Sequence, residues 1–234
     1  MRILLVGASR GLGRALMTAL TADGHEVWGV ARAVPQAASH PERWIAADFS
    51  DPGAAADAVA AAAPATLDAV LYNLGVWEPA AFSDEYRFTE ERDETTLGLL
   101  AANIAGPLLL LQRLLPRLLG SARPRVILTG STSALPRSGR PELAFGASKT
   151  ALNGIADALR EHYRQDRLAV TTLQLGYLNT EDELSVPRET AAQRGAGTLI
   201  PVHDVVDVVR TVLGLSSATF VRELVLPAIL DDRF

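Results

Sequence analysis

The chain contains no cysteine. Disulfides, thiolate nucleophiles and thiolate zinc sites are thereby excluded, and a reducing compartment is tolerated. Histidine occurs only at His25, His40, His162 and His203, never at ligand spacing, so no metal site is expected. There is no Gly-x-Ser-x-Gly elbow, and no histidine stands as an evident partner for Ser131, which argues against a hydrolase triad. Long apolar runs are also missing. The N-terminal run ends at Gly7, too short for the apolar core of a signal peptide. The most apolar later stretch, residues 107–119, includes Arg113 and Arg117 and falls short of the roughly 20 residues that cross a bilayer. A buried helix, no membrane partner and a cytoplasmic location are expected. Positive charge is in deficit: the net charge of −5 repels phosphate backbones, so nucleic acid is not an expected partner, while a local basic patch stays open.

What is present is alternation. At 234 residues, with 48% hydrophobic and 21% charged, the chain suits one domain with a full two-sided core. Apolar runs at 3–6, 27–31, 44–47, 69–72, 126–129 and 170–175 read as strands, several apolar throughout as in a sheet covered on both faces, and 224–226 reads as a weaker seventh. Between them lie helical patterns. One runs from Gly11 to about Asp23, with Gly24 placed for a left-handed cap. Another covers 53–63, with Asp51 as N-cap and Pro52 at the first helical position. Three more cover 95–119, 146–164 and 203–214. The fold class is therefore α/β: a Rossmann-type, doubly wound parallel sheet of about seven strands in a single domain over 1–234. Two stretches stand outside the alternation. Residues 77–94 mix Trp77, Phe82, Tyr86 and Phe88 with many charges. Residues 181–200 are polar and read as a lid over a substrate, where Val186, Pro187 and Leu199 could shape a pocket together with Trp77 and Phe82.

The first strand runs directly into Gly7-Ala8-Ser9-Arg10-Gly11-Leu12-Gly13. Glycines there let the backbone turn tightly and approach a pyrophosphate, while the next helix points its N-terminal amides at the negative charge. The second strand ends at Ala31-Arg32, where a site preferring NAD would carry an acidic residue. Arg10 and Arg32 could pair with a 2′-phosphate, which favours NADP(H) over NAD(H).

Taken in order, these segments resemble the short-chain dehydrogenase/reductase family. The spacing of Gly7, Gly11 and Gly13 is similar to that family's cofactor loop, with Ser9, Arg10 and Leu12 inside it. Asp48 resembles the family aspartate near the adenine. Asn73-Leu74-Gly75 resembles its Asn-Ala-Gly segment, with Leu74 a departure. Asn103 matches the helix asparagine that holds a water of the proton relay, and Ser131 the catalytic serine. Gly176, Leu178 and Thr180 lie in a segment similar to the one beside the nicotinamide, with Leu175 replacing its proline. The resemblance covers nearly the whole chain. It implies an oxidoreductase acting on a small or medium carbonyl or alcohol. It also implies a homodimer or homotetramer, because the helices over 95–119 and 146–164 pair across a two-fold axis in the family.

One departure bears on the chemistry. The family's tyrosine lies four residues before a lysine; here Lys149 is preceded at that spacing by Phe145. Ser131 lies fourteen residues before Phe145, one more than usual, which leaves Thr132 and Ser133 as rivals for its role. The tyrosine protonates the alkoxide left by hydride addition, and phenylalanine has no such proton. Lys149 can still bind the nicotinamide ribose. Three readings remain open. The protein binds NADP(H) without ordinary reduction, as a regulatory or non-redox member. It reduces with another donor: Tyr177, a water held by Asn103, or the substrate. Or position 145 was altered deliberately to trap a complex.

Overall fold

In the computed structural model, residues 1–36 and 38–232 are described. In chain order the elements are β1 (Arg2–Val6), α1 (Gly11–Ala22), β2 (Glu26–Ala31), β3 (Trp44–Ala46), α2 (Pro52–Ala62), β4 (Ala69–Tyr72), α3 (Asp93–Leu100), α4 (Gly106–Leu118), β5 (Arg125–Thr129), α5 (Leu143–His162), β6 (Ala169–Leu175), β7 (Leu178–Asn179), α6 (Arg188–Gly195), β8 (Ile200–Pro201), α7 (Val202–Gly214) and β9 (Glu223–Leu226). Seven strands form one parallel sheet in the order β3-β2-β1-β4-β5-β6-β9. The strand positions agree with the apolar runs in the sequence, and β9 is the seventh, at the edge.

Alternating side chains explain the layers. Leu4 and Val6 of β1 join Val59 of α2, Leu110 and Leu114 of α4 and Leu152 of α5 on one face. Ile3 and Leu5 face the other way, onto Leu12 and Leu16 of α1 and Val205 and Val209 of α7. Both faces are covered here, so the central strands β1 and β4 are apolar on both sides.

The helices differ from expectation where polar groups intervene. The pattern over 95–119 is two helices, α3 and α4, joined by a π-helical turn at Ala101–Ala105. The turn's Ala102 carbonyl accepts a 2.7 Å hydrogen bond from the buried Tyr72 hydroxyl. The continuous run Asp93–Leu118 is long and apolar enough to cross a membrane. Here it packs instead: Arg113 Nε donates to Asp57 of α2 at 2.6 Å, and Arg117 closes the C-terminal end of α2 through the Ala60 and Ala63 carbonyls. Residues 181–200 are more ordered than a bare loop, holding α6 and ending in β8, which pairs with β7. Asp51 caps α2 as expected, accepting from the Ala54 amide at 3.0 Å.

Leu114 is fully buried between α4 and the sheet. Leu114→Ala is expected to lower stability by about 2–5 kcal/mol, read from urea unfolding. A change within error of zero would contradict this packing.

Candidate active site

The strand order reverses between β1 and β4, so the crevice beyond their C-terminal ends is where a ligand of such a sheet lies. The glycine loop follows β1 there. Gly7 has a φ of +80°, and a Cβ on it would come within 2.9 Å of the Leu74 backbone. A Cβ on Gly13 would overlap the Gly7 carbonyl oxygen. Only glycines allow α1 to start this close to the strand tip, which aims its free amides into the crevice. Gly11 packs against the Thr180 side chain, bringing together two segments far apart in the chain.

From this loop a line of polar contacts crosses the crevice. Asn73 Nδ2 donates to the Gly7 carbonyl at 3.4 Å, and Thr129 Oγ1 donates to Asn73 Oδ1 at 3.1 Å. The Thr129 carbonyl accepts from Lys149 Nζ at 2.9 Å. Nζ also lies close to Gly75, where a Cβ would stand 3.0 Å from it. Lys149 is buried, and desolvation pushes its pKa from 10.5 down to about 8. Its ammonium lies 5.6 Å from the centroid of the Phe145 ring, within cation–π range.

Position 145 thus faces Lys149 with an aromatic ring that has no hydroxyl. Phe82 meets this ring edge-on at 5.2 Å, and Trp77 does so at 6.4 Å. Tyr177 touches Phe82 at 5.6 Å and lies 4.6 Å from the Arg140 guanidinium. Phe82 therefore contacts both the Phe145 and the Tyr177 rings. Arg140 forms a buried ion pair with Asp231 at 2.5 Å, which fixes the C-terminal segment beside Tyr177.

Buried carboxylates hold this wall to α5. Glu78 Oε1 accepts from the Ala144 and Phe145 amides at 3.0 and 3.2 Å, capping α5 and explaining why that helix starts at Leu143 rather than near 146. The Tyr86 hydroxyl accepts from the Leu143 amide at 3.0 Å, and Glu142 Oε1 accepts from the Phe82 amide at 2.9 Å. Sequence reasoning passed over Glu78 and Glu142 because they stand among many surface charges. It also missed Thr129 as a bridge, and Gln174, whose Oε1 accepts from the Ser131 amide at 3.0 Å.

The other expected residues divide by what occupies their polar atoms. Ser131 Oγ accepts from the Ser133 amide at 3.1 Å, and among the described residues its hydroxyl proton has no partner, so it can donate to an incoming oxygen. Thr132 and Ser133 form the 3-10 turn that follows. Asn103 uses both amide hydrogens, on the Val76 carbonyl at 2.8 Å and Ser148 Oγ at 2.9 Å, while Oδ1 accepts from the Val76 amide. Its side chain positions the segment after Gly75. Leu12 turns its side chain into the core and Leu178 packs beside it, so either would meet a ligand through its backbone. Asp48 accepts from the Ser50 amide at 3.0 Å. The backbone of Gly176 is held by β9 through its amide, which donates to the Leu226 carbonyl at 2.9 Å. Ser9 borders the helix tip. Arg10 and Arg32 are exposed, follow β1 and β2, and form no ion pair among the described residues.

Comparison with known proteins points to one family. Residues 1–190 match the short chain dehydrogenase family. The chain is 27% identical over 218 residues to dehydrogenase/reductase SDR family member 7B of Rattus norvegicus, covering 84% of this chain and 63% of that protein, under two thirds of its length. It is 26% identical over 208 residues to the 3-oxoacyl-(acyl-carrier-protein) reductase MabA of Mycobacterium bovis, covering 87% of this chain and 78% of that one. A solved metagenomic short-chain oxidoreductase in complex with NADP is similar with a TM-score of 0.72 at 25% identity, over 97% of this chain and 96% of that chain.

The lowered Lys149 pKa has a consequence for stability. Between about 8 and 10.5 the unfolded chain holds a proton that the folded chain has released, so stability rises with pH across that window. In ligand-free protein the rise is expected to reach roughly 3 kcal/mol and to be missing from Lys149→Met. Equal pH slopes for the two proteins in urea titrations would contradict the burial of this charge.

Proposed function

The chain belongs to the short-chain dehydrogenase/reductase family, and from that premise we propose that it binds NADP(H) and transfers hydride between the nicotinamide and a small or medium carbonyl or alcohol. The observation that carries this reading is the continuous link from Gly7 through Asn73 and Thr129 to Lys149, which joins the helix tip suited to a pyrophosphate to a buried ammonium suited to a ribose. The glycine cradle fits a dinucleotide, since a side chain at Gly7 or Gly13 would fill the space its backbone needs. When bound, NADPH supplies the hydride. Ser131 donates a hydrogen bond to the substrate oxygen and orients it. Lys149 holds the cofactor ribose, and Asn103 fixes the loop after Gly75.

Preference for NADP(H) is supported by Arg10 and Arg32 without carboxylate partners, and by the NADP complex of the similar metagenomic oxidoreductase. The alkoxide's proton comes from a group other than residue 145. Tyr177 is the phenol we name for the task, with a bound water or the substrate as alternatives. Exposed Leu97 and Leu108, on α3 and α4, support assembly as a homodimer or homotetramer. A second reading is favoured by one observation: Phe145 is packed among Phe82 and Trp77, so the slot for the acid is filled by apolar rings. In that reading the protein binds NADP(H) as a regulatory or non-redox member.

Phe145→Tyr is expected to raise NADPH oxidation with a carbonyl panel, followed at 340 nm, by about 10²–10⁴-fold. Slow wild-type turnover that disappears in Tyr177→Phe would support the substitute donor. Tight NADPH binding with no turnover in either Phe145 form would favour the non-redox reading. Arg10→Ala combined with Arg32→Ala is expected to weaken NADPH by at least about tenfold while leaving NADH nearly unchanged, since hydrogen bonds to charged groups contribute about 1.5–3 kcal/mol each. Equal losses for both nucleotides in calorimetry would contradict the assignment to the 2′-phosphate.

A further inference from the structure

The end of the sheet opposite the glycine loop holds a second concave site that the proposed reaction does not use. Arg125 begins β5 and Thr129 ends it, so this site and the cofactor crevice lie roughly 13 Å apart along one strand. A cavity of about 220 Å³ is lined by Arg123, Arg125, Arg160, Arg164 and Arg167, with the loop over residues 216–219 along one side.

Carboxylates balance only part of this charge. Asp157 serves both Arg160, at 2.6 Å, and Arg222, at 2.8 Å, and Glu161 serves Arg164. Arg123, Arg125 and Arg167 have no ion pair among the described residues.

Arg125 is the most informative of the five, because it is only 2% exposed. Its Nη2 donates to the Leu215 and Ser216 carbonyls just beyond α7, which closes that helix end. Its Nε is buried with no hydrogen-bond partner. A cation removed from water needs a counter-charge or a full set of acceptors. Arg125 has neither. Burial, and then the neighbouring Arg123, weaken its hold on its proton, as expected where positive charge is in excess. An anion in the adjoining cavity would supply the counter-charge that Arg125 and its neighbours lack. Guanidinium forks match the spacing of oxygens on a tetrahedral phosphate, and the loop adds the hydroxyls of Ser216, Ser217 and Thr219.

We propose that this cavity binds a compact phosphate-bearing anion, at a site separate from the cofactor crevice. The chain as a whole is acidic, so its general field does not attract anions and the binding is local to these arginines.

The test titrates inorganic diphosphate into the full chain at constant ionic strength, by calorimetry. With the cofactor crevice filled by saturating NADP, the wild type is expected to bind one diphosphate per chain. Arg123→Gln combined with Arg167→Asn is expected to weaken this at least tenfold. Both positions are exposed, and asparagine tolerates the φ of 58° at residue 167, so the variant keeps its fold. Arg164→Gln, also exposed, gives an independent reading of the same loss. Absence of binding by the NADP-saturated wild type, or equal affinity in the Arg123/Arg167 variant, would each overturn the proposal. Vesicles with and without phosphatidylinositol phosphate separate the sources. Co-sedimentation sensitive to the Arg123/Arg167 changes supports a lipid headgroup, and diphosphate binding without it supports a free phosphate.

Discussion

The contact between Gly13 and the Gly7 carbonyl oxygen sets the geometry on which the rest of the candidate site depends. No side chain fits between them, so the first turn of α1 lies directly on the tip of β1. The Gly7 carbonyl is in turn tied to β4 through Asn73, to β5 through Thr129 and to α5 through Lys149. Five elements thereby meet at the point where the strand order reverses. The glycine-loop end of the crevice and its buried ammonium belong to one connected array, and a displacement of either is felt by the other.

Beside that array of loop and lysine stands an aromatic wall. The ring at position 145 contacts Lys149, Phe82 and Trp77, and no acid stands where hydride chemistry would call for one. Phe82 is held in a left-handed backbone conformation, with a φ of 68°, unusual for a bulky residue. Its amide is anchored by Glu142, and its ring is surrounded by Trp77, Phe145 and Tyr177. Such strain persists when the surroundings over-determine it, and here a buried carboxylate and three rings do so. The segment around Phe82 forms the wall next to position 145.

The sheet could be read from sequence because its strands are buried on both faces, which makes them continuous apolar runs. The glycine loop could be read because its geometry depends on three glycines within seven residues. Both are local signals. The interactions that build the wall are not local. Glu78 reaches the start of α5 across more than sixty positions, and its carboxylate is indistinguishable in sequence from the charges that follow it. The π turn arises because the Tyr72 hydroxyl claims the Ala102 carbonyl, a pairing with no periodic signature. The arginines at 123, 125, 160, 164 and 167 are likewise scattered along the chain and converge only when β5, α5 and the loop before β9 come together.

The most direct test of this account is a crystal structure of the protein grown with NADP. The account requires the pyrophosphate at the amides that open α1, the 2′-phosphate between Arg10 and Arg32, and the nicotinamide ribose at Lys149. An empty crevice at saturating nucleotide, or a nucleotide bound elsewhere with the Gly7–Lys149 array untouched, would contradict it.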